Sequence, residues 1–531
     1  MKMDETTPLL QNQSHSLPQK RLLFIFPALA LVQFTSFLDQ TAISTSLPAI
    51  ASALDVGASI SLVGTSFLIT STSIQLINGR LSDIFGRKAS LVTALSIMGA
   101  GNLWSGFSTS PAQLFVSRAF SGLGAGAINA LVQIAIADIT TLEQRGYYFG
   151  MVGMAVACGN GLGPLVGGVL TQAVGWQWAF WFVCPLCVIA IGYLMSVWPT
   201  SHSRSPITSD KRTWHKLKLV DWAGAWTSMF SIVLLLIPIS QCRSTTSCTS
   251  PAAVSMFTAG VTLFAIFLVI EWRFAKLPLL PAQLFLYNRS TNILLGSNIF
   301  IGWIYWGNLF VLPLYLQNVR GSSPAQAGVL MLPMVITHGL TSGLTGVLIS
   351  LLGNYKPIIL TGAICWTLGA LAKTYFNQVT PIWQIIIIGV FDGVGVGCSL
   401  QPVLVGIFAG SDTKDRAVLT SLRNFIRDMG GATGTAVSGA ILGNVLFGQL
   451  KSRFSESLIA KLISSAFVLD EMDFTEEEKD MIIRAYIKGL NTVFFSFAVI
   501  AVVHLCCCIC LQDYGLKQQR QKNLQSEERE Q

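Results

Sequence analysis

The sequence predicts an all-α, polytopic membrane protein, from its composition and from the length of its apolar segments. Hydrophobic residues occupy 52% of the 531 positions and charged residues only 11%, whereas a soluble domain carries about 25% charged residues. The apolar residues fall into segments of about 20 residues, the length of helix that crosses a bilayer. The sequence contains no Gly-x-x-x-x-Gly-Lys-Ser/Thr phosphate loop, which argues against an ATP-driven pump.

An internal repeat divides the fourteen predicted spans into two halves of six, with two additional spans between them. The stretch FSGLGAG at 120–126 returns later in the chain as FDGVGVG at 391–397. A second set of landmarks recurs in the same order, as Gly79, Asp83 and Gly86 and then as Gly346, Ser350 and Gly353. Such repeats are typical of transporters whose binding site lies between the halves.

The predicted spans and loops define the domain organisation. Because cytosolic loops are enriched in Lys and Arg, both termini are predicted to be cytosolic, and Arg243, Arg320 and Lys373 fall in short loops on the opposite face. The expected divisions are an N-terminal tail at 1–21, a six-helix bundle at 22–198, a cytosolic linker at 199–219, two extra spans with a linker at 220–290, a second six-helix bundle at 291–511 with a lumenal loop at 448–489, and a cytosolic tail at 512–531.

A dense mixed-charge turn follows the second predicted span. Its sequence, GRLSDIFGRK, contains Gly79, Asp83, Gly86, Arg87 and Lys88. Glycine permits a sharp turn between antiparallel helices, and Arg87 and Lys88 suit a cytosolic interface. Asp83 is expected to meet either a helix N-terminus or the guanidinium of Arg145 in the neighbouring cytosolic loop. A role in topology alone explains the two basic residues but not the acid.

The fifth predicted span carries closely spaced glycines around a proline. The stretch GNGLGPLVGG contains Gly159, Gly163, Pro164, Gly167 and Gly168. Proline removes a helical hydrogen bond and favours a kink, and the glycines let a neighbouring helix approach closely. Ordinary packing of small residues is the alternative interpretation.

Taken together, these motifs resemble the major facilitator superfamily. GRLSDIFGRK is similar to its signature after the second span, SRAFSGLGAGA to its span-four motif, GNGLGPLVGG to its span-five antiporter motif, and FLDQTAISTSLPAI to the span-one motif of fourteen-span drug:proton antiporters. The resemblance implies two six-helix bundles that rock in alternating access. It also implies that the charged turn with Arg145 is a conformational latch and that the span-five motif is a hinge and seal.

Two ionisable residues deep in the predicted spans are candidates for proton coupling, because such residues are costly in a membrane and mark functional sites. Asp39 is the candidate coupling acid. Arg118 is its natural countercharge, or a partner for a substrate carboxylate. A purely structural ion pair is the alternative.

Three further residues are candidates for substrate binding. Asp392, among glycines, is expected either to attract a cationic group or to cap a local water cluster. Trp303 and Tyr305 are expected to line an apolar pocket, with packing and interfacial anchoring as the alternative. Arg427 and Asp428 are placed nearer the membrane interfaces. No residue is assigned as catalytic or as a metal ligand, and no cofactor is expected.

The N-terminal tail indicates a location. Glu5, Leu9 and Leu10 in ETTPLL fit an acidic dileucine signal, which adaptor proteins read. This favours a vacuolar membrane over the plasma membrane.

Cys242 and Cys248 share one short predicted loop, and a disulfide between them is left open.

With this tail, the chain resembles the fungal vacuolar basic amino acid transporters. That resemblance implies exchange of Lys, Arg or His for protons across the vacuolar membrane. The alternatives are a plasma-membrane multidrug:proton exporter and a non-transporting sensor, which the short predicted C-terminal tail disfavours. The expected partners are a small-molecule substrate (an amino acid or organic cation), protons, the lipid bilayer and a sorting adaptor, without nucleic acid.

Overall fold

The computed structural model describes residues 19–54, 61–198, 221–241, 250–274, 279, 289–411, 415–455, 458–459, 462 and 474–513. The regular structure of these residues is helical, which confirms the all-α prediction. The sorting motif at Glu5, Leu9 and Leu10, the linker at 199–219, and Cys242 with Cys248 lie outside the described residues.

The helices follow the predicted order of spans. The first bundle contains α1 (Gln19–Ala42), a short 3-10 turn (Ile43–Thr45), α2 (Leu47–Leu54), α3 (Ser61–Phe85), α4 (Arg87–Gly106), α5 (Pro111–Ile139), α6 (Leu142–Ala173), α7 (Trp178–Trp181) and α8 (Val183–Val197). Two intervening helices are α9 (Trp222–Gln241) and α10 (Pro251–Arg273). The second bundle contains α11 (Arg289–Asn318), α12 (Pro324–Leu352), α13 (Lys356–Lys373), α14 (Ile382–Ala409), α15 (Arg416–Leu450) and α16 (Glu476–Ile509).

Length and composition make the protein polytopic. Among the described residues, nine helices are long and apolar enough to cross a membrane. The most apolar window of α5 is 83% buried, whereas that of α10 is 11% buried. Helix α5 therefore lies inside the protein, and α10 presents most of its surface outward, where the hydrocarbon would surround it.

The two repeated glycine triplets make equivalent contacts. A Cβ atom added to Gly122 of α5 would lie 2.4 Å from the carbonyl oxygen of Phe67 on α3, and one added to the equivalent Gly393 of α14 would lie 2.5 Å from that of Met334 on α12. Such distances leave no room for a side chain. The sequence repeat therefore corresponds to the same helix contact made once in each bundle.

The two bundles contact each other through glycines on α6 and α12 and on α3 and α15. A Cβ atom on Gly346 of α12 would lie 2.3 Å from the carbonyl oxygen of Gly146 on α6, and one on Gly79 of α3 would lie 3.0 Å from that of Ala417 on α15. These contacts lie toward the end of the bundles where α3 and α12 terminate. The bundles are therefore joined at that end, which is the end predicted to face the cytosol.

Gly346→Ala should lower the thermal unfolding temperature of the detergent-solubilised protein. The added methyl group has to push α6 and α12 apart, and overpacking of this kind costs about 1–3 kcal/mol. The matched control is Gly439→Ala on α15, where an added Cβ atom meets nothing within 4 Å. Equal unfolding temperatures for the two variants would show that the bundles do not approach each other in this way.

Candidate functional site

A buried ion pair joins three helices of the first bundle. Arg118 Nη1 on α5 lies 3.0 Å from Asp39 Oδ1 on α1, and both side chains are only 1% exposed. The same nitrogen donates a hydrogen bond to Asn102 Oδ1 on α4 at 3.2 Å, and the guanidinium lies 4.4 Å from the centre of the Phe67 ring. The structure thus brings together the two residues expected to couple protons.

The second oxygen of this carboxylate is available to a proton. Among the described residues, Asp39 Oδ2 is buried and has no hydrogen-bond partner. A buried acceptor without a donor is costly. Asp39 therefore has one oxygen held by Arg118 and one oxygen that none of the described residues satisfies.

A second buried cluster, in the other bundle, contains Asp392 on α14. Lys373 Nζ lies 2.8 Å from Asp392 Oδ2 and 3.0 Å from Asp392 Oδ1, and it donates to Asn308 Oδ1 at 2.6 Å. The assignment of Lys373 to a short lumenal loop is therefore wrong. Lys373 is the last residue of α13, and its side chain is fully buried because the carboxylate and the amide hold its ammonium group inside the bundle.

The two clusters use equivalent helices. The first draws an acid from α1, an amide from α4 and an arginine from α5. The second draws an amide from α11, a lysine from α13 and an acid from α14. Each cluster therefore consists of one acid, one base and one asparagine. The corresponding helices are α1 and α11, α4 and α13, and α5 and α14, and in each of these pairs the two helices contribute different residue types.

A small cavity lies between the bundles, at the middle of the helices. It is lined by Gln33, Phe37, Gln133, Gly153, Val156, Tyr305, Trp306, His338, Leu400, Gln401 and Arg427. Tyr305 is thus one of the residues that line this cavity. Trp303 is not among these lining residues and packs against Gly434 of α15, while Asp392 is occupied by Lys373.

Helix α15 carries two Arg-containing pairs beside this cavity. Arg427 Nε donates to Asp428 Oδ1 at 3.0 Å, and Gln75 Nε2 of the first bundle donates to Asp428 Oδ2 at 2.6 Å. One turn earlier, Arg423 Nη1 donates to Asn424 Oδ1 at 2.9 Å.

The placement of Arg427 and Asp428 near the membrane interfaces is wrong, because α15 continues well beyond the predicted interface and sets both residues in the central layer.

The earlier of these pairs also reaches the first bundle. Asn424 Nδ2 donates to Gln133 Oε1 of α5 at 3.2 Å, and Asn160 Nδ2 of α6 donates to the hydroxyl of Tyr305 on α11. Polar side chains therefore bridge the bundles around the cavity. Any motion that opens the cavity toward the joined end has to break them.

The charged turn after α3 is organised around Arg87. Its Nη2 lies 2.6 Å from Asp83 Oδ1, its Nε lies 2.8 Å from Asp138 Oδ2, and it also donates to Ser82 Oγ. Lys88 Nζ donates to the carbonyl oxygen of Met195 at 3.2 Å. Gly86 has a φ of 85°, a conformation that side chains rarely tolerate, and so permits the turn between α3 and α4.

Arg145 does not take the position that was expected of it. In the structure the ion partner of Asp83 is Arg87, four residues later. Arg145 donates to the carbonyl oxygen of Ala137 at 2.9 Å, and its guanidinium lies 5.5 Å from the ring centre of Phe408 in the other bundle. Arg145 therefore contributes a contact between bundles rather than a pair within the turn.

The glycines of the span-five motif face α1. A Cβ atom at Gly159, Gly163 or Gly167 would lie 2.0 to 2.9 Å from atoms of α1, whereas one at Gly168 would lie 3.6 Å from Thr45. Thr45 Oγ1 donates to the carbonyl oxygen of Pro164 at 2.9 Å. The motif therefore packs α6 closely against the helix that carries Asp39.

Lys373 and the central amides were missed by the reasoning from sequence. Amides such as Asn102 and Gln133 do not stand out among apolar residues, because neutral side chains are common in spans. One signal for Lys373 was present. The repeat register that aligns residues 120–126 with 391–397 also aligns Asn102 with Lys373.

Asp39→Asn should abolish transport driven by a proton gradient and leave the amount of folded protein in the membrane unchanged. The amide cannot exchange the proton, but it preserves a hydrogen-bond acceptor for Arg118, whose guanidinium also keeps its hydrogen bond to Asn102 and its contact with the Phe67 ring. Arg118→Leu is the contrasting variant, since it strands a buried carboxylate at a cost of about 3–5 kcal/mol and should reduce protein level. Unchanged gradient-driven transport by Asp39→Asn would remove Asp39 from the coupling role.

The chain is similar to known fungal transporters. The family model described as Major Facilitator Superfamily matches residues 29–286. A Yarrowia lipolytica protein named Citrate exporter 1 is 35% identical over 517 residues, which cover 97% of this chain and 75% of that protein. A Cochliobolus lunatus protein named MFS-type transporter clz4 is 33% identical over 498 residues, which cover 93% of this chain and 86% of that protein.

A solved structure shares the fold. The crystal structure of the human organic anion transporter MFSD10 (TETRAN) matches with a TM-score of 0.58 at 14% identity, covering 93% of this chain and 100% of that one. The predicted fold of two six-helix bundles is thereby confirmed. The protein is a membrane transporter rather than an enzyme, and the chain belongs to the Major Facilitator Superfamily.

Proposed function

We propose that the protein exports organic anions, with carboxylates as the substrate class, in exchange for protons and by alternating access. The observation that carries this proposal is Arg427, a guanidinium in the lining of the central cavity. Arginine binds carboxylates through two parallel hydrogen bonds. Its neighbour Arg423 adds a second positive charge one turn away.

The pairing of the carboxylates supports an anionic substrate. A cationic substrate was expected because Asp39 and Asp392 offer negative charge within the spans. Asp39 is instead paired with Arg118, and Asp392 with Lys373. Each of these two carboxylates is thus neutralised by a basic side chain and offers no net negative charge to a substrate. On α15, by contrast, Arg427 is paired with Asp428, whereas the partner of Arg423 is the neutral Asn424.

The similarity to a relative named Citrate exporter 1 agrees with this substrate class. Citrate is therefore the first substrate to test. Proton exchange is assigned to Asp39 with Arg118, and the conformational change to the contacts that join the bundles. The present arrangement, joined at the predicted cytosolic end, is that of a carrier closed to the cytosol.

Basic amino acids are the second candidate, transported into the vacuole as the resemblance in sequence implied. Arg427 suits the α-carboxylate of an amino acid, and Asp428, 3.0 Å from Arg427, suits its cationic side chain. A multidrug substrate is the third. All three use the same cavity, so the assay has to compare substrates directly.

The test is uptake into proteoliposomes with an acidic interior, using labelled citrate and labelled lysine, with an uncoupler as control. We expect uncoupler-sensitive uptake of citrate, and loss of that uptake in Arg427→Gln. Uptake of lysine without citrate would favour the amino acid candidate. Uptake of neither, by protein shown to be folded, would move the proposal to drugs or another solute.

Two reciprocal charge changes on α15 should alter citrate affinity in opposite directions. Asp428→Asn frees Arg427 from its carboxylate and should tighten citrate binding, whereas Asn424→Asp places a carboxylate beside Arg423 and should weaken it. Each change is expected to alter affinity by about tenfold or more, since a hydrogen bond to a charged group contributes about 1.5–3 kcal/mol and about 1.4 kcal/mol is a factor of ten. Binding to the purified protein measures this, and shifts in the same direction for both variants would contradict an anion site on α15.

The membrane is proposed to be vacuolar because of the tail motif. Leu9→Ala with Leu10→Ala should divert a fluorescently tagged protein from the vacuolar membrane to the plasma membrane, since the pair is the part of the signal that adaptors bind. Thr6→Ala with Thr7→Ala is the matched control. If the leucine variant still reached the vacuolar membrane, the tail motif would not be the signal that directs the protein there.

A further inference from the structure

We propose that Lys373, Asp392 and Asn308 form a second proton-exchange site, located in the C-terminal bundle. The carrier would then hold one such site in each bundle, and both would change protonation during a transport cycle. The inference rests on the proton coupling proposed above but not on the identity of the substrate. It assigns a function to a buried charge pair that substrate binding at the cavity does not use.

The first argument is the cost of the pair. The side chains of Lys373 and Asp392 are at most 1% exposed, and replacing such a pair with apolar residues is often neutral or stabilising. An isolated pair is therefore a poor way to hold helices together. Within membranes, buried ionisable residues are associated with ion and proton pathways.

The second argument is that the geometry supports two charge states. Lys373 Nζ contacts both oxygens of Asp392 and also donates to Asn308 Oδ1 at 2.6 Å. When a proton adds to one Asp392 oxygen, the carboxylate becomes a neutral acid and its ion pair with Lys373 is lost. The Lys373 ammonium keeps its hydrogen bond to Asn308. The cluster therefore gains one positive charge, and the ammonium group that carries this charge still has a hydrogen-bond acceptor.

The third argument is the choice of base. Arg118 in the first bundle stays protonated, so only Asp39 can exchange a proton there. A buried lysine gives up its proton far more readily than an arginine does. The second cluster therefore contains two exchangeable groups, which suits a site that changes charge rather than one that holds it constant.

The surroundings of Asp392 contain few other charges. Helix α13 contributes Lys373, and α11 contributes Asn308, whose Nδ2 donates to Asp392 Oδ1 at 3.5 Å. Helix α12 contributes His338, whose backbone nitrogen lies close to Gly393. From α16 the ring of Phe494 lies 5.8 Å from Lys373 Nζ.

A short route connects the cluster with the cavity. Tyr305 and His338 both line the cavity, and their ring centres are 6.2 Å apart. Asn308 is three residues beyond Tyr305 on α11, a rise of about 4.5 Å along the helix. Measured along α11, the cluster therefore lies within one helical turn of a residue that lines the cavity.

The experiment uses the full-length protein in proteoliposomes and citrate as the probe. Lys373→Met with Asp392→Asn removes both charges together, so no charge is stranded. The protons that accompany each citrate are counted with a pH-sensitive dye, and gradient-driven uptake is compared with citrate–citrate exchange at equal pH. Asp480→Asn with Arg484→Gln is the control, because it removes an exposed ion pair with an N–O distance of 2.6 Å on α16.

We expect fewer protons per citrate in the Lys373 and Asp392 variant and a loss of gradient-driven uptake that exceeds any loss of exchange. The control pair should match the unaltered protein. An unchanged proton count in the variant, with exchange intact, would overturn the proposal and leave the pair a structural one.

A second measurement decides the matter if that variant does not fold or if citrate is not a substrate. Dicyclohexylcarbodiimide adds to protonated carboxylic acids in apolar surroundings to form an N-acylurea, and the modified residue is identified by mass spectrometry. In the unaltered protein, Asp392 should be modified increasingly as the pH falls. Modification of Asp39 without any modification of Asp392 over the same pH range would overturn the proposal.

Discussion

A charge inside a bilayer has to find a partner within the protein, because no water is present to solvate it. This constraint decides where the ionisable residues of the spans lie. Arg118 lies against Asp39 and Asn102, and Lys373 against Asp392. Helices α1, α4 and α5 therefore have to meet in one bundle, and α13 and α14 in the other, because the charged side chains find their partners only on these neighbouring helices.

The contacts between the bundles are of a different kind. Glycines on α6 and α12 bring the backbones together, and amides such as Gln75 and Gln133 reach across to α15. The hydrogen bond between the neutral amides of Gln133 and Asn424 contributes about 0.5–1.5 kcal/mol, and that of Gln75 to the Asp428 carboxylate about 1.5–3 kcal/mol. An interface of this composition is specific in geometry yet separable, whereas pulling apart a buried ion pair within a bundle would strand two charges at a cost of several kcal/mol. That difference supports the proposed rocking of the two bundles against each other.

The polar residues of α15 connect these two features. Arg427 faces the cavity and holds Asp428, and Asp428 in turn accepts a hydrogen bond from Gln75 of the other bundle. A substrate carboxylate that competes for Arg427 would weaken the link of Asp428 to both partners. In the proposed function, substrate recognition and separation of the bundles thus share one arginine.

Much of this protein follows from its sequence alone. Apolar segments of membrane-spanning length determined the class, glycine spacing revealed the repeat, and the motif residues indicated the family, because each depends on neighbours within one helix. The pairing of Asp39 with Arg118 was also foreseeable, since a buried acid and base seek each other. The tertiary structure alone decided that Arg87 rather than Arg145 holds Asp83 and that Arg427 faces the cavity. It also placed Lys373 inside the bundle, for which the repeat register had given a single signal. Those outcomes depend on how helices far apart in sequence are rotated against one another, and the pattern along a single helix does not encode that rotation.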